Sequence, residues 1–259
     1  MISRGLPALL FGMIVLALWE GAVRLFHVPV FLLPAPSAIW SAFVGGWPDL
    51  MRSAWVTLSI TLQAFLAAVV GGVGLAVLFT RSRWAAAALF PYAVVLQVTP
   101  VVAIAPLVII WVGYDRVDLA QLILAWIVAF FPVLGNTVMG LRSVEPHLRD
   151  MMRLYGASSG QMLWRLELPS ALPFILSGMR ISGGLALIGA VVAEFVAGSG
   201  TASGLAWRIV EAGNRLNTAR MFAALALLSI LGVALFGALS GLQRLILGRW
   251  HASERSAIN

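Results

Sequence analysis

The chain reads as an all-α membrane protein with about six transmembrane helices and one charged interhelical loop. Three observations carry that reading. First, 61% of the 259 residues are hydrophobic and 10% are charged, with a mean hydropathy of +0.98, whereas soluble domains are about 45–50% apolar. Second, several apolar runs reach or exceed the roughly 20 residues a helix needs to cross the hydrocarbon. These runs are continuous rather than alternating, which predicts helices and excludes a barrel. Third, a stretch rich in charge, 143–169, separates the fourth run from the fifth.

The expected spans are 6–26, 55–79, 85–113, 119–141, 171–197 and 221–245, and we read 1–259 as a single transmembrane domain. The first holds Glu20 and Arg24, spaced for an i, i+4 ion pair, and lacks a small-residue cleavage site, so it reads as a span rather than a secretory signal. After it, Pro29, Pro34 and Pro36 resist a continuous helix, and Ser37 is placed to cap a short interfacial one. Gly71, Gly72 and Gly74 in the second span favour close helix packing.

The third run carries Pro91, Pro100 and Pro106 and predicts a broken or kinked helix. Irregular backbone at membrane depth survives only when buried or lining a watery path. Gln97 and Thr99, beside Pro100, are therefore candidates for a translocation pathway, together with Asn136 and Glu194. A Thr beside a kink also commonly satisfies a carbonyl freed by the proline. Glu194 is the acid deep in the second half of the fifth span, for which a structural or gating role is preferred, with lining of a substrate exit as the alternative. Arg180, inside the same span, can snorkel toward its end. Between the last two spans, Trp207, Arg208, Glu211 and Arg215 fall at helical spacing and predict an exposed helix.

The loop itself reads as two short helices. Leu148, Met151, Met152 and Tyr155 form one stripe, Pro146 suits a first helical position and Gly156 the left-handed residue that ends a helix. Ser158 to Gln161 has capping-box spacing, and Pro169 is expected to end regular bonding.

All seventeen basic residues are Arg and Cys is absent. That excludes a phosphate-loop Lys, a Schiff-base Lys, thiolate chemistry and disulfides. His27, His147 and His251 show no metal-ligand spacing, and Gly198, Ser199, Gly200 and Gly204 read as a flexible loop rather than a phosphate cradle. We therefore expect no catalytic, metal or cofactor site. The net charge of +7 fits flanking of spans better than nucleic acid. Arg4, Arg81, Arg83, Arg142, Arg149, Arg153, Arg165, Arg244, Arg249 and Arg255 fall on one side, against Arg24, Arg52, Arg116, Arg208, Arg215 and Arg220 on the other. Ten against six puts both termini and the loop 143–169 in the cytoplasm.

The segment DMMRLYGASSGQMLWRLELPSALPFILSGMRI, 150–181, resembles the cytoplasmic loop of membrane subunits of binding-protein-dependent ABC importers. The family pattern is Glu-Ala-Ala, three residues, Gly, nine residues, an aliphatic residue, one residue and Leu-Pro. Asp150-Met151-Met152 stands at the first three positions, Gly156 at the Gly, and Leu166 with Leu168-Pro169 at the end. Asp for Glu and two Met for two Ala are the departures; they keep helix-forming character and enlarge the surface. FLLPAPSAIW (31–40), QVTPVVAIAPLVIIWVGY (97–114) and ALIGAVVAEFVAG (186–198) extend the resemblance to the branch that imports nitrate, sulfonates, taurine and pyrimidine precursors.

The resemblance implies the MetI-like permease fold in a bacterial inner membrane and no covalent chemistry. It implies a second permease copy, most simply identical, two ABC ATPase subunits carrying ATP and Mg, and an extracytoplasmic solute-binding protein. Asp150, Met151, Met152, Arg153, Gly156, Ala157, Leu166, Leu168 and Pro169 would form the ATPase-coupling surface. Trp207, Arg208 and Arg215 are candidates for contact with the binding protein. A self-sufficient secondary transporter or channel would explain six spans but not the loop spacing, and a membrane-embedded enzyme lacks clustered His or carboxylates.

Overall fold

The computed structural model describes residues 6–197 and 204–248. Among them the helices are α1 (Leu6–Leu25), α2 (Pro36–Gly45), α3 (Trp47–Arg81), α4 (Arg83–Val98), α5 (Val101–Val112), α6 (Val117–Arg142), α7 (Pro146–Leu154), α8 (Ser159–Met162), α9 (Leu168–Ala197), α10 (Leu205–Asn214) and α11 (Thr218–Leu247). Five helical stretches are long and apolar enough to cross a membrane, and α4 with α5 makes a sixth if that pair counts as one span. The expected span 55–79 is longer than foreseen: α3 begins at Trp47 and runs 35 residues.

The third run is two helices bent by 107°. The break falls at Pro100, whose ring drives Thr99 into an extended conformation (φ −71°, ψ 124°). Pro91 and Pro106 lie inside α4 and α5 without ending them.

The chain divides into two compact units, Met1–Val56 with Gly198–Ile230 and Thr57–Ala197 with Leu231–Asn259. Arg4, Gly198, Ser199, Gly200, Arg249, His251 and Arg255, named above from the sequence, lie outside the described residues. In the first unit α2 is a surface helix, as expected, but its start is held differently. Ala35 occupies the cap position without a side-chain bond. Glu20 of α1 instead accepts from the Ser37 backbone N–H at 3.0 Å and from its hydroxyl at 2.8 Å, while Arg24 Nε donates to the same carboxylate at 2.7 Å. A carboxylate at the positive end of a helix is favourable, so the ion pair foreseen in α1 also fastens α2.

The second unit is built on an antiparallel α6–α9 seam. A Cβ added at Gly140 would meet Ala171 and Phe174, one at Gly178 would meet Asn136 and Pro132, and one at Gly189 would come within 2.8 Å of the Ala125 Cα. Ser182 Oγ donates to the Ala129 carbonyl at 2.7 Å in the same seam. Small residues let the backbones approach where lipid supplies no hydrophobic drive for association. From α3, Gly72 meets Val133 and Gly71 meets Phe130, whereas Gly74 faces open space. Phe65, Phe79, Phe130, Leu134, Leu141 and Ile175 fill the core. The Arg180 guanidinium lies 5.8 Å from the Phe236 ring centre, a cation–π contact inside this unit.

Candidate functional site

The loop 143–169 has a specified backbone. At the end of α7, Gly156 takes φ +73°. Its N–H donates to the Arg153 carbonyl at 2.9 Å and that of Ala157 to the Met152 carbonyl at 3.0 Å. This double reversal closes the helix with its last carbonyls satisfied. Three residues on, the Gln161 N–H donates to Ser158 Oγ at 3.3 Å and the Ser158 N–H to Gln161 Oε1 at 2.9 Å, the reciprocal capping box foreseen from spacing. Corner and restart are thus both fixed by local hydrogen bonds.

Along the stripe Leu148, Met151, Met152, Tyr155, Leu148 and Met152 are half-buried, while Met151 is 47% and Tyr155 82% exposed. Leu154 and Trp164 are exposed as well. A 3.6-residue period locates an apolar stripe but does not say which part of it has a partner within the same chain. One expectation about the loop needs correction: Pro169 does not end the helix. Residues Leu163–Glu167 form a π turn between α8 and α9, and the Leu168 N–H bonds back to the Leu163 carbonyl. The wider turn admits the proline, so 159–196 runs on as one helical stretch.

Asp150 and Arg153 pair at 3.2 Å on the surface, both well exposed. Ala157, Leu166, Leu168 and Pro169 are half-buried. Sequence reasoning missed the polar residues that hold the loop in place. Glu167 is 7% exposed and accepts from Arg81 Nη2 at 2.7 Å. The same Arg81 nitrogen donates to the Ser159 carbonyl at 3.0 Å. Arg149 approaches Glu167 with its Nε at 3.5 Å and donates Nη2 to the Leu141 carbonyl at 2.7 Å. The signal that could have found this was a lone acid between Leu166 and Leu168, a position too apolar for an unpaired carboxylate.

The four pathway candidates separate. Gln97 lines a cavity of about 240 Å³ with Phe131, Pro132 and Leu185, at the break between α4 and α5. Thr99 Oγ1 donates to the Val95 carbonyl at 2.6 Å, serving its own helix end. Asn136 Nδ2 donates to the Pro132 carbonyl at 2.8 Å within α6. Glu194 has no solvent access and accepts from Thr57 Oγ1 at 2.7 Å.

In the first unit, Trp207, Arg208 and Arg215 sit on or beside α10. Arg208 pairs with Glu211 at 2.8 Å, in keeping with their i, i+3 spacing, but its side chain is only 19% exposed rather than on the open surface and also donates to Ser53 Oγ at 3.0 Å. Leu205, Ala206 and Ala212 are buried, so α10 packs on one side. Arg215, 70% exposed and 3.0 Å from Glu211, points outward. Gly204, the described member of the glycine-rich stretch read as a loop, is the cap of α10. Among the described residues no group of three or more His, Asp or Glu side chains comes together as a metal site.

The family model of the binding-protein-dependent transport system inner membrane component matches residues 68–249. The riboflavin transport system permease protein RibX of Chloroflexus aurantiacus is 37% identical over 97% of this chain and 91% of its own length. The formylaminopyrimidine transport permease protein ThiX of Halalkalibacterium halodurans is 30% identical over 94% of this chain and 96% of its own. The taurine transport system permease protein TauC of Escherichia coli is 30% identical over 90% and 85%, respectively. Among solved structures, the inward-facing MetNI methionine ABC transporter superposes with a TM-score of 0.62 at 21% identity, over 76% of this chain and 95% of that one, which shows a shared all-helical fold. With the family model matching most of its length and these relatives running along nearly all of it, the chain belongs to the binding-protein-dependent transport system inner membrane components and is a permease subunit of an ABC importer.

Proposed function

We propose that this permease is driven by two separate ATPase subunits that grip the loop 143–169 from the cytoplasm, with both chain termini on that side. The observation that carries the reading is the exposed apolar set Met151, Leu154, Tyr155 and Trp164 on a loop whose corner and caps are fully bonded. A rigid segment with large exposed apolar side chains among charges fits a protein partner better than lipid. Asp150 and Arg153 supply the polar rim of that contact. ATP and its Mg reside on the partner subunits, since a chain without Lys cannot build a phosphate-loop site.

A second permease copy completes the pathway, and a solute-binding protein outside the membrane delivers the solute. ATP binding moves the loop, the spans open outward to receive the solute, and hydrolysis resets them. For the solute we propose an uncharged nitrogen heteroaromatic. The relatives named for riboflavin and formylaminopyrimidine support this. So does the cavity at Gln97, whose lining holds an amide, a phenyl ring and aliphatic groups but no cation to hold a sulfonate.

Co-expression with a candidate ATPase subunit and purification of the complex tests the reading. Stable co-purification is expected, with loss on Leu154→Asp. Uptake of riboflavin by the permease alone, driven by an ion gradient, would instead establish a secondary transporter.

A further inference from the structure

The loop reaches the spans by two routes of different kinds. Through α8 and the π turn it is continuous with α9, so displacement of the loop passes into that span along the backbone. No such continuity joins it to α3, whose last residue is Arg81. Among the described residues, the hydrogen bonds from α3 to the loop are those of Arg81, to Ser159 at the start of α8 and to Glu167 at the end of the π turn. Arg149 of α7 adds the third tie, joining Glu167 to the terminal carbonyls of α6 through Leu141. One buried carboxylate therefore touches side chains from α3 and α7.

We infer that Arg81, Glu167 and Arg149 form a clamp that makes α3, α6 and α9 move with the loop as one body. This makes Glu167 a positioning residue for transport, and it rests on the reading of 143–169 as the ATPase contact. The chemistry fits a strut better than simple stabilisation. A buried ion pair contributes little net stability over apolar packing, but it demands one geometry. The two hydrogens of Arg81 Nη2, fixed in the guanidinium plane, hold a carbonyl and a carboxylate at once, which fixes direction as well as distance. The extra residue of the π turn rotates the downstream helix by about 100° relative to a regular one, and this sets the face on which Glu167 emerges. At 3.5 Å, and with its Nε lacking any hydrogen-bond partner, the Arg149 contact is the looser side of the clamp.

The absence of Cys allows two nitroxide labels to be introduced without background. They go at His147→Cys in the loop, outside the proposed ATPase contact, and Val70→Cys on α3, both exposed, in the complete complex with ATPase subunits in nanodiscs. With Glu167 intact, the interlabel distance should be the same with and without MgATP and vanadate. In Glu167→Gln it should match in the nucleotide-free state but shift by about 2 Å or more, or broaden, on adding MgATP and vanadate. If Glu167→Gln does not assemble, Arg81→Lys, which keeps the charge and loses the planar, directional donors, takes its place with the same expected shift. A distance that stays fixed in the variant, or one that already changes with Glu167 intact, overturns the clamp. Failure of the underlying reading shows separately: maleimide labelling of Leu154→Cys would then not be blocked by the ATPase subunits.

Discussion

Thr57 on α3 donates its hydroxyl to Glu194 on α9 at 2.7 Å, 137 residues away and with neither side chain open to solvent. The bond satisfies part of a carboxylate that would otherwise be costly at this depth. Thr61, one turn on, returns its hydroxyl to the Thr57 carbonyl at 2.7 Å, so this stretch of α3 carries a short polar seam. Thr57→Val keeps the shape and removes one donor. The expected cost is about 1–3 kcal/mol, seen as a lower unfolding temperature of the detergent-purified chain. Glu194→Gln, which lowers the need for a donor, should partly relieve the Thr57→Val defect. Additive losses in the double variant would show that the two side chains act independently.

Gly156 gives a test free of steric confusion. Its φ is +73° and a Cβ there would meet nothing within 4 Å, so any penalty comes from the backbone itself. Gly156→Val is expected to cost about 1–2 kcal/mol at the corner and to lower uptake relative to ATP hydrolysis in proteoliposomes containing the full importer. Gly156→Asn, which tolerates the left-handed region, should stay near the parent chain. Equal behaviour of Val and Asn would mean that corner geometry is not what matters.

Much of the loop was legible in the sequence, for reasons visible in single residues. The corner at Gly156 and the box from Ser158 to Gln161 depend on hydrogen bonds spanning three to five positions, so spacing alone exposes them. The break at Pro100 was legible too, since proline dictates the conformation of the residue before it. Features that sequence could not reveal depend on partners far along the chain. Glu167 with Arg81, 86 residues apart, and Arg208 with Ser53, 155 apart, are choices of tertiary packing with no local signature. The π turn was hidden because the Leu-Glu-Leu-Pro run suggests a stop, and only the surrounding helices make continuation worthwhile. Thr99 and Asn136 illustrate a further limit: polar side chains in apolar helices often bond to their own preceding turn.

The α6–α9 seam yields a pair of glycine substitutions with opposite outcomes. At Gly189 a Cβ would lie 2.8 Å from the Ala125 Cα, which is backbone and cannot swing aside. Gly189→Val must therefore spread the helices, with an expected loss of about 1–3 kcal/mol and lower yield of folded protein on size exclusion. Gly184, five residues earlier on the exposed face of the same helix, has nothing within 4 Å. Gly184→Ala should be neutral or slightly stabilising, because alanine suits a helix interior better than glycine.

Arg208 and Arg215 share Glu211 but do different work. Arg208 is held by Glu211 at 2.8 Å and by Ser53 at 3.0 Å, so Arg208→Glu would set a second carboxylate beside the first in a mostly buried place. That variant should be unstable, with a lower unfolding temperature in detergent before any partner is added. Arg215 is 70% exposed, and reversal of its charge leaves the Arg208 contacts in place. Arg215→Glu should unfold like the parent chain. If the α10 end seats the solute-binding protein, the same variant should weaken that protein's affinity for the nanodisc complex, and more so at low salt, where surface charges are least screened. Unchanged affinity with unchanged stability would assign Arg215 to the lipid headgroup region, where a lone surface cation also belongs.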